Sequence, residues 1–284
     1  MAARFHRFEQ YQSQQLTPDL SSGSAPVIEG QYMYFCLLHK EAGSGSELHY
    51  HPNELVIFPL RGKVNAIVGR ARRIIAPGMF LHAPAYARHS MKATEESACD
   101  YLYIKDRTWT VVGLAADEAV PDKALTIEEV NRQHQAGGVS RRQATGGKSE
   151  MIIDGLGTCF YPVIDSFDAP GVSARRVLTI EGAHIAFSFF DVPAHWSGPE
   201  EVAQHETFVY VINGSLRAET GGGQKTLGAG DIVSLSSGDR YRLQPDLGQP
   251  ARYVQVSATA KLERRMDSMS PQEREQARLN VKPN

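Results

Sequence analysis

Apolar residues recur along this chain in short runs, often alternating with polar positions, and the two richest stretches carry no 3.6-residue period. Period-two patterning of this kind predicts β-strands. In the first stretch, Tyr32–Leu38, Leu55–Leu60, Val64–Val68, Met79–Leu81 and Tyr101–Ile104 read as strands. Turn residues interrupt them at Ala42–Ser46, Arg61-Gly62 and Pro77-Gly78. Many short strands imply a sandwich or a closed antiparallel barrel. Helical signals lie outside these stretches. Leu125–Gln133 reads as a short helix with Thr126 and Glu129 at capping-box spacing, and Ala136–Lys148 reads as a linker or surface loop. Ser270-Pro271-Gln272-Glu273 is a helix start, with Ser as cap and Pro at the first helical position.

The strand pattern occurs twice. Displaced by 152 positions, the chain matches itself without gaps: Gly30 meets Gly182, Phe35 meets Phe187, Glu54 meets Glu206 and Gly62 meets Gly214. Gly78 meets Gly230, Arg88 meets Arg240 and Tyr101 meets Tyr253. The repeat predicts an all-β chain of two domains with one architecture, residues 25–115 and 175–260. Around them lie an N-terminal arm (1–24), a linker (116–174) and a C-terminal helix and tail (261–284).

Composition narrows the class. Net charge is −2 over 284 residues, so no global field favours nucleic acid or an anionic membrane. No apolar run approaches the roughly 20 residues that cross a bilayer, and residues 1–20 are polar and Gln-rich. Cys36, Cys99 and Cys159 are too few and scattered for a disulfide framework or a zinc cluster. A cytoplasmic protein acting on a small molecule is the expectation, with exposed barrel faces that suit a homodimer.

The chemistry concentrates in His49-Tyr50-His51 and His89. Alternation along a strand turns His49 and His51 to one face, and a later strand adds the third imidazole. Three imidazoles form half of an octahedral shell for a divalent transition metal. At the corresponding positions the second copy has Glu201, Ala203 and Tyr241. Glu201, His205 and Tyr241 therefore mark a degenerate site, expected to hold no metal.

These residues resemble the cupin family. Gly43, His49-x-His51 and Gly62 resemble its first motif; Gly78, Pro84 and His89 resemble its second. Fifteen residues separate Gly62 from Gly78, and the same number separates Gly214 from Gly230. The resemblance implies a bicupin: two tandem jelly-roll barrels of six to eight strands, with a metal in the mouth of one. In the family a carboxylate or amide ligand stands seven residues before the closing glycine. Here that residue is Leu55. Glu54, one residue earlier, is a candidate fourth ligand only if a β-bulge re-aims it.

An all-histidine set resembles the cupin dioxygenases of gentisate-cleaving and diketone-cleaving type. That implies one divalent metal, Fe(II) favoured over Mn, Ni or Zn. The substrate would be a small anionic chelator such as an aromatic hydroxy-acid, diol or diketone. Arg88, Tyr101 and Tyr103 are candidates for substrate contact. Two alternatives stay open: a metal-dependent lyase, isomerase or hydrolase that does not use oxygen, and a non-catalytic ligand-binding bicupin.

Overall fold

The computed structural model describes residues 4–17, 19–119, 159–168, 171–246 and 248–278. Two compact units emerge: Tyr11–Asp165 with Arg264–Asn284, and Met1–Gln10 with Ser166–Glu263. Each contains two antiparallel sheets, the architecture of a jelly roll.

In the first unit, the larger sheet has seven strands in the order Phe160–Pro162, Met79–Ala83, Leu55–Arg61, Cys99–Asp106, Met33–Lys40, Ser24–Glu29 and Ser13–Gln15. The five-stranded sheet runs Leu114–Ala115, His49–Tyr50, His89–Ala93, Val64–Val68 and Ala71–Ile75. Tyr34, Cys36 and Leu38 alternate inward from one strand and Leu55 and Ile57 from another; Val64, Ala66 and Val68 join them in a single buried core.

The second unit repeats the plan. Ile185–Val192, Thr207–Asn213, Asp231–Leu235 and Ala251–Ala258 stand 152 residues after Met33–Lys40, Leu55–Arg61, Met79–Ala83 and Cys99–Asp106. Even irregularities recur. The pairing with Cys99–Asp106 skips Leu60, and the equivalent pairing in the second barrel skips Ile212. These bulges sit just before the shared glycines. Gly62 has φ +70° and Gly214 φ +78°. A β-carbon on either would lie 2.2 Å from a main-chain carbonyl oxygen, that of Ala98 or Pro250. Only glycine fits such a turn.

Strand totals exceed the six to eight expected per barrel because each main sheet gains edge strands. Arg4–Arg7, from the segment expected as an arm, pairs with Asp231–Leu235. Phe160–Pro162, ahead of the second barrel, pairs with Met79–Ala83, the equivalent strand of the first. Each barrel thus takes an edge strand from the segment preceding the other copy, which covers an otherwise open sheet edge.

The expected helix after Ser270 is present as Pro271–Gln276, with both halves of its capping box formed. A second helix, Ala260–Asp267, precedes it. The expected helix Leu125–Gln133 and the loop Ala136–Lys148 lie outside the described residues. Among the described residues, no helix is long and apolar enough to cross a membrane.

Because a β-carbon cannot be accommodated at either turn, Gly62→Ala and Gly214→Ala should each destabilise their own barrel by on the order of 3 kcal/mol. Denaturant unfolding read separately for each barrel checks this. An unchanged midpoint in either variant would contradict the steric account.

Candidate metal centre

His49 and His89 lie directly opposite each other on paired strands, and His51 follows two residues on. Their rings converge inside the first barrel. Centroids are 4.4 Å apart for His49 and His89, 4.7 Å for His51 and His89, and 6.2 Å for His49 and His51. One nitrogen from each lies within 4.8 Å of the other two. Alternation sends the intervening side chains the other way: Tyr50 and Arg88 stack on the opposite face, with the guanidinium 4.6 Å from the ring centroid.

Each imidazole has its Nδ1 within hydrogen-bond distance of a main-chain carbonyl: His49 to Glu47 O (2.7 Å), His51 to Asn53 O (3.0 Å) and His89 to Ala87 O (2.8 Å). A carbonyl only accepts, so Nδ1 carries the proton and Nε2 keeps its lone pair. The Nε2 atoms of His51 and His89 are buried and have no hydrogen-bond partner. Such atoms are costly to bury unless something binds them. A metal ion fits them, since ligating histidines characteristically donate their other ring N–H to a carbonyl or carboxylate.

Supporting contacts hold these residues in place. Asn53 Nδ2 donates to Asp106 O (2.6 Å) and Trp109 O (2.9 Å), and the Asp106 carboxylate accepts from the main-chain N–H of Glu54 (2.7 Å). A β-carbon on Gly113 would lie 2.6 Å from His49 Cδ2, so its absence admits the ring. Burial sets the protonation state. It pulls the His89 pKa down to about 4 and those of His49 and His51 well below the ordinary histidine value; the neighbouring imidazoles and the Lys105 charge lower the latter two further.

Among the other predicted residues, Leu55 faces the interior and lines a small cavity together with His49, His89, Tyr101 and Tyr103. Glu54 is turned away from the histidines and hydrogen bonds His82 instead. The bulge that could have re-aimed it falls at Leu60, beyond it. Arg88 donates Nε to Ala116 O (2.8 Å) and is buried against Tyr50.

In the second barrel, the Tyr241 hydroxyl donates to Glu201 Oε2 (2.8 Å). His205 pairs with Glu263 (3.0 Å) rather than with them, and Ala203 is packed in the core. Among the described residues, the three histidines of the first barrel form the one cluster of metal-ligating side chains.

Sequence reasoning missed Asn53 and Asp106, which hold His51, and two buried lysines. Lys40 and Lys105 occupy inward positions, in phase with Tyr34-Cys36-Leu38 and Tyr101-Tyr103. A lysine in register with an apolar face was the signal available.

Residues 37–105 match the family model of the Cupin domain. No curated protein matches the chain. Among solved structures, an oxalate decarboxylase variant from Bacillus subtilis aligns at TM-score 0.59 and 14% identity, over 89% of this chain and 76% of its own. Ylba from E. coli aligns at TM-score 0.61 and 10% identity over 91% of both chains. AerE from Microcystis aeruginosa aligns at TM-score 0.58 and 13% identity, over 88% of this chain and 97% of its own. Another structure of the Bacillus enzyme concerns its Mn(II) centres. At these identities the likeness is one of fold.

Two outcomes follow from this geometry. An imidazole whose folded pKa lies below its unfolded value of about 6.5 leaves stability complete above that pH and loses it as pH falls toward the folded value. The metal-free protein should therefore lose stability between about pH 6.5 and 4, with His89 alone accounting for on the order of 3 kcal/mol by pH 4. Denaturant titration across that range, wild type against His89→Ala, tests the slope; identical slopes would exclude a buried neutral His89. Separately, Leu55→Glu places a carboxylate on the cavity wall and should tighten Mn(II) binding about tenfold by calorimetry. Unchanged affinity would mean that position 55 does not reach the site.

Proposed function

We propose that this protein, whose first barrel is a cupin domain and whose second repeats the same fold, is a metal-dependent enzyme with one centre at His49, His51 and His89. In this reading it is an Fe(II) dioxygenase that cleaves a small anionic chelating substrate, an aromatic hydroxy-acid, diol or diketone. The observation that carries the reading is the convergence of three neutral imidazoles, their tautomers locked, with Leu55 where a fourth protein ligand would stand. Such a set leaves the charge of the ion uncompensated and adjacent coordination positions open.

When bound, the metal supplies Lewis acidity and, as Fe(II), redox chemistry toward dioxygen. The chain supplies orientation and a dry environment. The Nδ1 bonds hold the imidazoles in their ligating tautomer, so binding needs no proton rearrangement at the rings. Leu55, Met91, Tyr101 and Tyr103 wall the cavity and restrict water beside the histidines. Tyr101 and Tyr103 stay protonated because burial raises both hydroxyl pKa values well above normal, which makes them donors rather than bases. Arg88 serves as a brace, since its guanidinium is committed to Ala116 O and the Tyr50 ring.

A second reading, a metal-dependent lyase without oxygen, is supported by the fold shared with the Mn(II)-containing oxalate decarboxylase. Oxygen uptake separates the two. Purified protein should carry close to one metal per chain, and His51→Ala and His89→Ala should lose it. With Fe(II) and a panel of hydroxy-acids, diols and diketones, turnover should consume one dioxygen per substrate and stop under anaerobic conditions. Turnover that continues without oxygen would replace the dioxygenase by the lyase. Metal retained in both histidine variants would remove the assigned centre.

A further inference from the structure

Lys40 is 2% exposed, the last inward-facing residue of its strand, and lines the same cavity as His49 and His89. An ammonium has three N–H donors, yet its one side-chain partner is the Ser21 hydroxyl, 2.9 Å away. Among the described residues no carboxylate pairs with it. Carboxylates of the first barrel pair elsewhere, among them Asp100 with Arg61 and His39, Glu29 with Arg107 and Glu96 with Lys63. A buried charge with no counterion is costly, and isolated lysines are seldom kept in a core without a task.

The surrounding chain makes room for this ammonium. A β-carbon on Gly23 would lie 3.2 Å from Lys40 Nζ and 2.9 Å from Leu38 Cδ2, so glycine leaves the space beside the charge open. Burial pulls the Lys40 pKa down to about 8, so the group is still mostly cationic at neutral pH. The cavity therefore has histidines at one part of its wall and an unneutralised cation at another.

We propose that Lys40, with Ser21, is the anchor for a second anionic group of the substrate, so that the site selects molecules bearing a metal-chelating end and a separate carboxylate. This rests on the metal centre proposed above. Lys40 is assigned here as a specificity-determining residue; the chelating end is left to the histidine-held metal. A monoanionic chelator would leave the lysine buried and unpaired, and that penalty is the source of discrimination.

The test uses full-length protein loaded with Mn(II), titrated calorimetrically with 2-oxo acids of matched length. The dicarboxylates are oxaloacetate, 2-oxoglutarate and 2-oxoadipate; the monocarboxylates are 2-oxobutyrate, 2-oxovalerate and 2-oxohexanoate. All six share the metal-chelating 2-oxo acid end. Wild type should bind at least one dicarboxylate about tenfold more tightly than its monocarboxylate partner. Lys40→Met should erase that preference, the dicarboxylate losing its advantage and the monocarboxylate no longer leaving a lysine unpaired, while metal content stays unchanged. Ser21→Asp, which retains the lysine but supplies a counterion, should erase it as well and guards against a misfolded Lys40 variant. No preference in wild type, or a preference that survives both substitutions, overturns the assignment of Lys40. Failure of the metal reading looks different: all six ligands then bind the metal-free protein as well as the loaded one.

Discussion

Three imidazoles buried in an apolar barrel each have one ring nitrogen tied to a main-chain carbonyl, and that tie decides what the other nitrogen can do. A carbonyl cannot donate, so each Nδ1 must hold the proton and each Nε2 must present a lone pair. Burial enforces the same state by penalising imidazolium. The barrel thus holds in place a set of acceptors that it does not itself satisfy, as the orphaned Nε2 atoms of His51 and His89 show. Much else in the first unit serves that arrangement. Gly113 yields to the His49 ring, and Asn53 and Asp106 hold the turn after His51.

The two barrels show what happens when that constraint is relaxed. Strand positions, bulge and turn glycine recur 152 residues apart, so the second copy has the scaffold of the first. At the His51 position it has Ala203, buried in the core, and at the next position after Arg240 it has Tyr241, whose hydroxyl is satisfied by Glu201. Phe190 and Tyr253 stack at 4.5 Å, filling the interior with ring against ring. Tyr241 and Glu201, at the positions equivalent to His89 and His49, pair with each other. A barrel arranged this way gains packing where its twin retains unsatisfied nitrogens.

Much of this was readable from residue order, for a physical reason. Period-two alternation links position to face, so His49 and His51 share one face and Glu54 turns away from that of Leu55 unless a bulge intervenes, and the shared glycines Gly62 and Gly214 stand at turns that tolerate no β-carbon. What alternation cannot show is pairing between distant segments. Arg4–Arg7 looks like a polar arm because an edge strand needs few apolar residues, and its partner lies more than two hundred residues later. The union of Glu54 with His82 likewise depends on which strands are neighbours. Lys40 and Lys105 were visible only as an anomaly of phase, easily passed over because lysine usually belongs to a surface.

In the proposed reading, that anomaly links the fold to the substrate. Three neutral imidazoles contribute no negative charge to the centre, and Lys105, fully buried with its amine donating to the carbonyls of Thr110 and Val111, has its pKa pulled down to about 7 by burial; when protonated its field reaches all three rings. Lys40 adds another charge on the cavity wall. Proteins ordinarily neutralise buried charge with a partner carboxylate, as Asp191 does for Arg252 in the second barrel at 3.2 Å. Among the described residues, Lys40 on the cavity wall has no such carboxylate partner. If the histidines hold a metal as proposed, a ligand whose charges match the positions of that metal and of Lys40 gains from both. In the proposed reading, selection for anionic chelators depends on the whole lined interior and not on the histidines alone.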